Sequence, residues 1–438
     1  MRGHTTKQLS FGEGFVDPSL FELDEELTQV DELLSEPGFV KPFEAVFDES
    51  LGRPGTPVEV YLRMMYLKFR WGLSYEEVEQ EIRERLTWRR FCHLSLMDPV
   101  PDSTTLIKLN QRFGEKRIAL LNKRLVKHLV KTKSIKPRRI RIDSTTLESH
   151  ITYPTDIGLL YQAVKTLRRR ARSLGQKITS HVRVTKKAMA QLGASLKTKS
   201  KAQKRQVQKT LRKVARFAED TVLQSHKALD HLKRRHKHSP LQERFQEEIR
   251  LAEEILKQTK QKLAGVQSIK DRIVSFYDPE ARVICKGKLA KPNEFGRTMQ
   301  LLQDKSGVIL DHRIHQGNPS DKKELLPIVK RFKRRFGRSP TAVATDKGYY
   351  SDKNLTRLRK LGVNRIGIPK LGRLTAREKR RQKSLWFKRL QRFRCGLEAA
   401  ISMLKRCFSL GRILVRGSPA TAIWTGFAIF SYNLWQMS

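Results

Sequence analysis

From Asp271 onward the apolar residues of this chain change period from roughly 3.6 to two, and that switch limits its architecture most. Before it the pattern is helical almost throughout; after it come the strand-like segments RIVSFYD, ARVICKGK, EFGRTMQLLQD and GVILDHRIHQG. Turns are expected between them at Asp278-Pro279, Pro292-Asn293 and Lys305-Ser306-Gly307. A helix capped around Ser320 and running to about Phe336 follows, then a small apolar strand, Thr341 to Thr345, ending at Asp346. Gly348 allows a tight turn, Ser351-Asp352 caps a helix to Leu361, and NRIGIP is another strand. Lys370 to Lys383 reads as a basic loop. Two helices close the chain, one over Gln391–Lys405 and one over Pro419–Gln436; the apolar tract within the latter is too short to span a bilayer.

The N-terminal side sorts by charge. Residues 1–50 form a mildly acidic lead with one helix and a loop. Residues 51–132 form a helical module. Its first helix opens on a capping box at Thr56-Pro57-Val58-Glu59 and stops at Gly72, and a second box opens at Ser74. A short helix follows around Trp88–Leu94, then one from Asp102 or Ser103 to Gly114. Short helices with tight turns fit a helix-turn-helix DNA reader or an ordinary bundle, and spacing alone does not separate the two. Lys136 to Asp143 is a short strand ending in an acid. Residues 157–268 are a basic helical insertion, patterned as two antiparallel helices joined near residue 238. Between Tyr161 and Pro240 it holds 23 Lys or Arg against Glu219, Asp220 and Asp230, which favours an arm that tracks phosphates.

The whole chain repeats that imbalance: 90 Lys plus Arg against 44 Asp plus Glu give a formal charge of +46 over 438 residues. A surface so basic calls for a polyanion, and nucleic acid is the expected partner. No Lys-rich, Trp-studded terminal helix points to a membrane instead. The four cysteines are scattered without C-x2-C spacing, and the start has no apolar run, so a cytoplasmic, nucleoid-associated enzyme is expected.

The candidate chemistry lies in three acids. In the helix QRFRCGLEAAISMLK, Arg394, Glu398 and Lys405 share one face, and Leu397, Ile401, Leu404 and Phe408 form an opposite core stripe. By itself that face reads as a solvated run of ion pairs. The element order changes this: strand with Asp143, helical insertion, hairpin strands, helix, strand with Asp346, helix, strand, helix with Glu398. It is the layout of an RNase H-like fold, a mixed five-stranded sheet with helices, in which the two aspartate strands are neighbours. Three converging carboxylates without His or Cys select a hard cation, Mg2+ or Mn2+, and two such ions can clamp a phosphodiester. Without metal, such acids repel and at least one should be harder to ionise.

With these residues the chain resembles bacterial insertion-sequence transposases of the DDE type, in the branch with an R-x3-E-x6-K signature helix. Arg394, Glu398 and Lys405 match that signature; Asp346-Lys347-Gly348-Tyr349 is similar to the second-aspartate motif and Arg141-Ile142-Asp143-Ser144-Thr145 to the first. The resemblance covers roughly residues 30–150 and 270–435, with the N-terminal module similar to the DNA-binding domain of such enzymes. It implies a catalytic domain made of residues 133–156 and 269–438, with Asp143, Asp346 and Glu398 as catalytic and metal-holding residues. It further implies Arg394, Lys405 and Lys347 as DNA contacts, two divalent ions, hydrolysis at a transposon end, joining of the 3′-hydroxyl to target DNA, and a homodimer on double-stranded DNA. Two departures stand out. Gln391 occupies the position where the wider signature has tyrosine, and the large insertion follows the first aspartate rather than the second. A repurposed, inactive DNA-binding protein and a nuclease for RNA-DNA hybrids are the competing readings.

Overall fold

The computed structural model describes residues 14, 16–47, 55–195, 200–235, 239–285, 293–370 and 372–438. In chain order the elements are α1 (Glu25–Leu34), α2 (Pro37–Glu44), α3 (Val58–Trp71), α4 (Tyr75–Glu84), α5 (Leu86–Phe91), α6 (Ser103–Lys131), β1 (Arg139–Glu148), α7 (Asp156–Ser173), α8 (Val182–Ser195), α9 (Lys201–Arg235), α10 (Pro240–Leu263), β2 (Arg282–Cys285), β3 (Asn293–Gln303), β4 (Ile309–His315), α11 (Asp321–Phe336), β5 (Ala342–Ala344), α12 (Asp352–Lys360), β6 (Arg365–Gly367), α13 (Ala376–Lys383), α14 (Leu385–Cys407) and α15 (Ser418–Trp435). They form two compact units, one of residues 1–148 with 298–438 and one of residues 149–297.

Among the described residues of the first unit five strands are ordered β4-β3-β1-β5-β6, with β3 and β4 antiparallel and β1, β5 and β6 parallel. The parallel pair β1/β5 is in register from Arg139↔Ala342 to Arg141↔Ala344, which carries Asp143 and Asp346 to the same end. Strand β1 does not stop at Asp143. It continues to Glu148 and is buried on both faces, as a central strand must be.

The helices of this unit follow their end signals. Ser74 closes its capping box with Glu77, Asp102 caps α6, and Gly72 ends α3 in the left-handed region at φ 71°. The box expected at Thr56 does not form; Pro57 holds the cap position without a side-chain hydrogen bond. Gly114, at φ 68° and ψ 171°, breaks α6 where the helix was expected to end, but helix resumes to Lys131. The acidic lead forms two helices rather than one, because Pro37 starts α2 soon after α1 ends. Helix α3 is buried on every side, with Arg63 paired to Asp31 and Lys68 under the Trp424 ring of α15, so α3 itself offers no groove-reading face. α15 is the buried terminal helix its composition calls for. It approaches α6 at Gly426, whose carbonyl accepts from Asn122 Nδ2 at 2.9 Å and whose Cβ, if present, would lie 2.6 Å from Ile118.

Among the described residues the second unit holds four helices, α7 to α10, rather than a two-helix hairpin. Residues Leu160, Val164 and Leu167 of α7 join Val214 and Ala218 of α9 and Ile249 and Ala252 of α10 in its core. The junction near residue 238 lies outside the described residues. RIVSFYD is not a strand. The Gln258 side chain takes both backbone groups of Ile273, donating to its carbonyl at 2.9 Å and accepting from its N–H at 3.1 Å. Ile273 and Phe276 are buried in a loop whose backbone is thereby satisfied without a ladder. β2 pairs with the first half of β3; the end of ARVICKGK and Pro292 lie outside the described residues.

Candidate active site

Each element delivers its acid for a local reason. On β1, Arg141 and Asp143 share a face by the two-residue period. Arg141 is buried, donating to Gln303 Oε1 and to the Phe393 carbonyl of α14, each at 2.7 Å. Its guanidinium fills the notch left by Gly396; a Cβ there would meet Arg141 Nη1 at 1.9 Å. This contact sets where α14 crosses the strand and carries Glu398 over Asp143. Gln391 helps from the other side, donating to the Gly367 carbonyl at the end of β6 at 2.6 Å. The position that departs from the signature therefore ties α14 to the sheet.

Asp143 is largely enclosed, with Oδ1 accepting from the Ser144 N–H at 2.8 Å. Burial pushes its carboxyl up to about 6, opposed by the Ser144 bond and by Arg394, and reinforced by the charges of Asp346 and Glu398. Asp346 caps a 3-10 turn, Lys347–Tyr349, with Oδ1 accepting from the Gly348 N–H at 3.0 Å. A side chain at 348 would press on the Asp346 carboxylate and on Asp321 Oδ2 together. Asp321, the first residue of α11, also accepts from Ser144 Oγ at 3.1 Å, and is a fourth acid beside this cluster. Its helix-start setting, S-D-K-K-E, hid it in the sequence.

Arg394 Nη1 stands 2.7 Å from Glu398 Oε1 and 3.6 Å from Asp143 Oδ2, one cation facing two of the acids. Glu398 is 57% exposed. The structure thus brings Asp143, Asp346, Glu398 and Arg394 together. Lys347 is exposed on its turn, and Lys405 lies two turns past Glu398, about 10 Å along the α14 axis. The expected basic loop before α14 contains α13, because Thr375 and Glu378 form a capping box and Lys370 binds Glu378 at 2.8 Å. α14 itself starts at Leu385.

Among the described residues no three His, Cys, Asp or Glu side chains stand close enough to hold a metal ion as they are. The donor set nevertheless fits a hard divalent cation. It consists of carboxylate oxygens alone, and the charges of Asp346 and Glu398 add to the burial that makes Asp143 harder to ionise.

A parallel strand pair presenting acids at one end, with a further acid on the flanking helix, defines a class of phosphodiester-processing enzymes. Comparison with known proteins narrows it. Residues 19–112 match the family described as a transposase domain (DUF772), and residues 279–434 match the transposase DDE domain. Over 149 residues the chain is 29% identical to a protein of Rhizobium meliloti called uncharacterized protein ORF8 in the nfe locus, covering 32% of this chain and 72% of that one. No solved structure matches the chain. The chain belongs to the DDE transposases of insertion sequences, enzymes of DNA cleavage and strand transfer. A DDE domain implies an RNase H-like fold, and the mixed sheet agrees. Asp143 lies between the two matched segments, so its place in the site rests on strand order and electrostatics.

Proposed function

We propose that the chain binds the terminal inverted repeats of its element as a dimer, cuts the phosphodiester at each transposon end, and joins the freed 3′-hydroxyl to target DNA. The observation that carries this reading is the meeting of Asp143, Asp346 and Glu398 from three separate elements, with Asp143 raised by burial and by the other two acids. These three residues would hold Mg2+ or Mn2+, with two ions needed to serve both oxygens of an in-line displacement. Arg394, which faces Asp143 and Glu398, would be free to contact a phosphate with a divalent ion bound to the acids, and Lys405 and Lys347 would be further phosphate contacts. The exposed faces of the N-terminal module supply end recognition.

The second unit contributes a DNA-tracking arm. A groove of about 680 Å³ on α8 and α9 is lined by Lys187, Lys209, Arg212, Lys213 and Arg216, with no carboxylate among the described residues. The test of the main reading is a nicking and strand-transfer assay on terminal-repeat duplexes with Mg2+ or Mn2+. Asp143→Asn, Asp346→Asn and Glu398→Gln should each abolish cleavage and leave end binding intact. Variants that bind poorly but still cut bound ends would refute the assignment. An RNA-DNA hybrid cut in preference to duplex DNA would favour a different nuclease.

A further inference from the structure

A second basic site lies in the first unit, at the far end of α11 from the acids. There a cavity of about 910 Å³ is walled by α6, β4 and α11 and lined by Lys123, Lys127, Arg331, Arg334, Arg335 and Arg338. Among the described residues Asp311 is the only carboxylate in that lining, and Arg331 Nε already binds it at 2.7 Å. Arg335 is structural too, donating to the carbonyls of Leu310 and Lys123. The remaining four cations, Lys123, Lys127, Arg334 and Arg338, are exposed and have no side-chain hydrogen bond or ion pair among the described residues. The C-terminal dipole of α11 amounts to roughly half a charge, which one or two cations offset, so it does not account for this many.

We propose that this cavity is a second DNA contact, binding backbone phosphates of a duplex stretch that flanks the one being cut. It rests on the reading of the chain as a DNA transposase. The chemistry favours a spaced row of phosphodiesters over a compact nucleotide. A nucleotide phosphate site typically uses converging backbone N–H groups at a helix N-terminus. Here the cavity lies on the last turns of α11 and the second half of α6, with four separate, flexible cationic heads. Such point charges position a duplex without reading its sequence. Asp321, at the start of α11, touches Ser144 beside Asp143, so the cavity sits roughly 20 Å along the helix from the acids. That is about six base-pair steps of straight duplex.

The test is the salt dependence of binding by the full chain to a terminal-repeat duplex. Each phosphate contact adds about 0.9 to the slope of log K against log salt. The variant K123Q/K127Q/R334Q/R338Q should flatten that slope by roughly 3 to 4, weaken binding to all sequences alike, and leave the cleavage rate of saturated DNA unchanged. Ethylating phosphates about six base pairs from the cut should hinder wild-type binding and not that of the variant. An unchanged slope in a variant with wild-type melting temperature overturns the proposal. If the quadruple variant melts early, K123Q/K127Q and R334Q/R338Q are measured separately, and each should give about half the effect. Loss of ATP binding in the variant with DNA binding unaltered overturns it in favour of a nucleotide site. Glu398→Gln separates the two readings: it should abolish cleavage and keep the full slope. Failure to cleave by the wild-type chain would count against the proposed function while leaving the slope measurement decisive for the cavity.

Discussion

Replacing Gly396 by alanine isolates the contact that places Glu398. On helix propensity alone the change should stabilise α14 by about 0.8–1 kcal/mol. In this site the new Cβ would lie 1.9 Å from Arg141 Nη1 and 2.8 Å from its Cζ, so the guanidinium must withdraw. Withdrawal breaks its bonds to Gln303 and to the Phe393 carbonyl. Hydrogen bonds to a charged group are worth about 1.5–3 kcal/mol each, so the two together outweigh the propensity gain. We expect Gly396→Ala to destabilise the protein by about 2–5 kcal/mol, and α14 to shift enough to lower cleavage sharply. The double-mutant cycle supplies the check. With Arg141→Met already in place the obstacle is gone, and the same Gly396→Ala step should stabilise by about 0.8–1 kcal/mol. Urea denaturation of the four proteins measures the coupling. Equal effects of Gly396→Ala in both backgrounds would refute the argument, because the notch would then be irrelevant to where α14 sits.

Two further outcomes follow from the electrostatics. Asp143 has a folded value of about 6 against an ordinary 3.8, so the folded state binds more protons than the unfolded between those limits. Its ionisation therefore removes stability as pH rises from about 4 to 6, on the order of 2–3 kcal/mol. Without divalent ions, Asp143→Asn should melt above the wild type at pH 7 and level with it near pH 4; adding Mg2+ should narrow the gap, and a lower melting point for the variant at pH 7 would contradict this. In the second unit, Arg297 is 1% exposed and binds both oxygens of Asp278 at 2.8 and 2.7 Å, while Ser149 Oγ donates to the same carboxylate. Asp278→Ala leaves that buried cation with Glu280 Oε2, at 3.0 Å, as its carboxylate partner and should cost about 3 kcal/mol by denaturation, and Asp278→Leu with Arg297→Met should recover much of it.

The parts legible in the sequence are those fixed by local chemistry. Caps at Ser74 and Asp102, the stop at Gly72 and the buried α15 follow from side-chain pattern and backbone preference, which neighbours did not override. Pattern and structure part where a distant group supplies what the local pattern lacks. RIVSFYD alternates like a strand, but Gln258, fifteen residues before Ile273, satisfies its backbone. β1 extends past its acid with β3 as its neighbour, beyond the point where its pairing with β5 ends at Arg141. The two-helix pattern of the insertion does not resolve α7 and α8, because their apolar faces make sense only against α9 and α10.

The sequence by itself singled out three candidate acids, with their order and surrounding periodicities, since these depend on residue type and spacing. It also determined that the chain must meet a polyanion, because +46 charges admit few other partners. Only the tertiary structure decided how the acids meet. The β1/β5 register brings two aspartates to one sheet end. Arg141 in the Gly396 notch and Gln391 on Gly367 seat α14 above them, and Asp321 arrives beside them on α11. These contacts join residues as far apart as 255 positions, between Arg141 and Gly396, and spacing along a chain carries no information about such pairs.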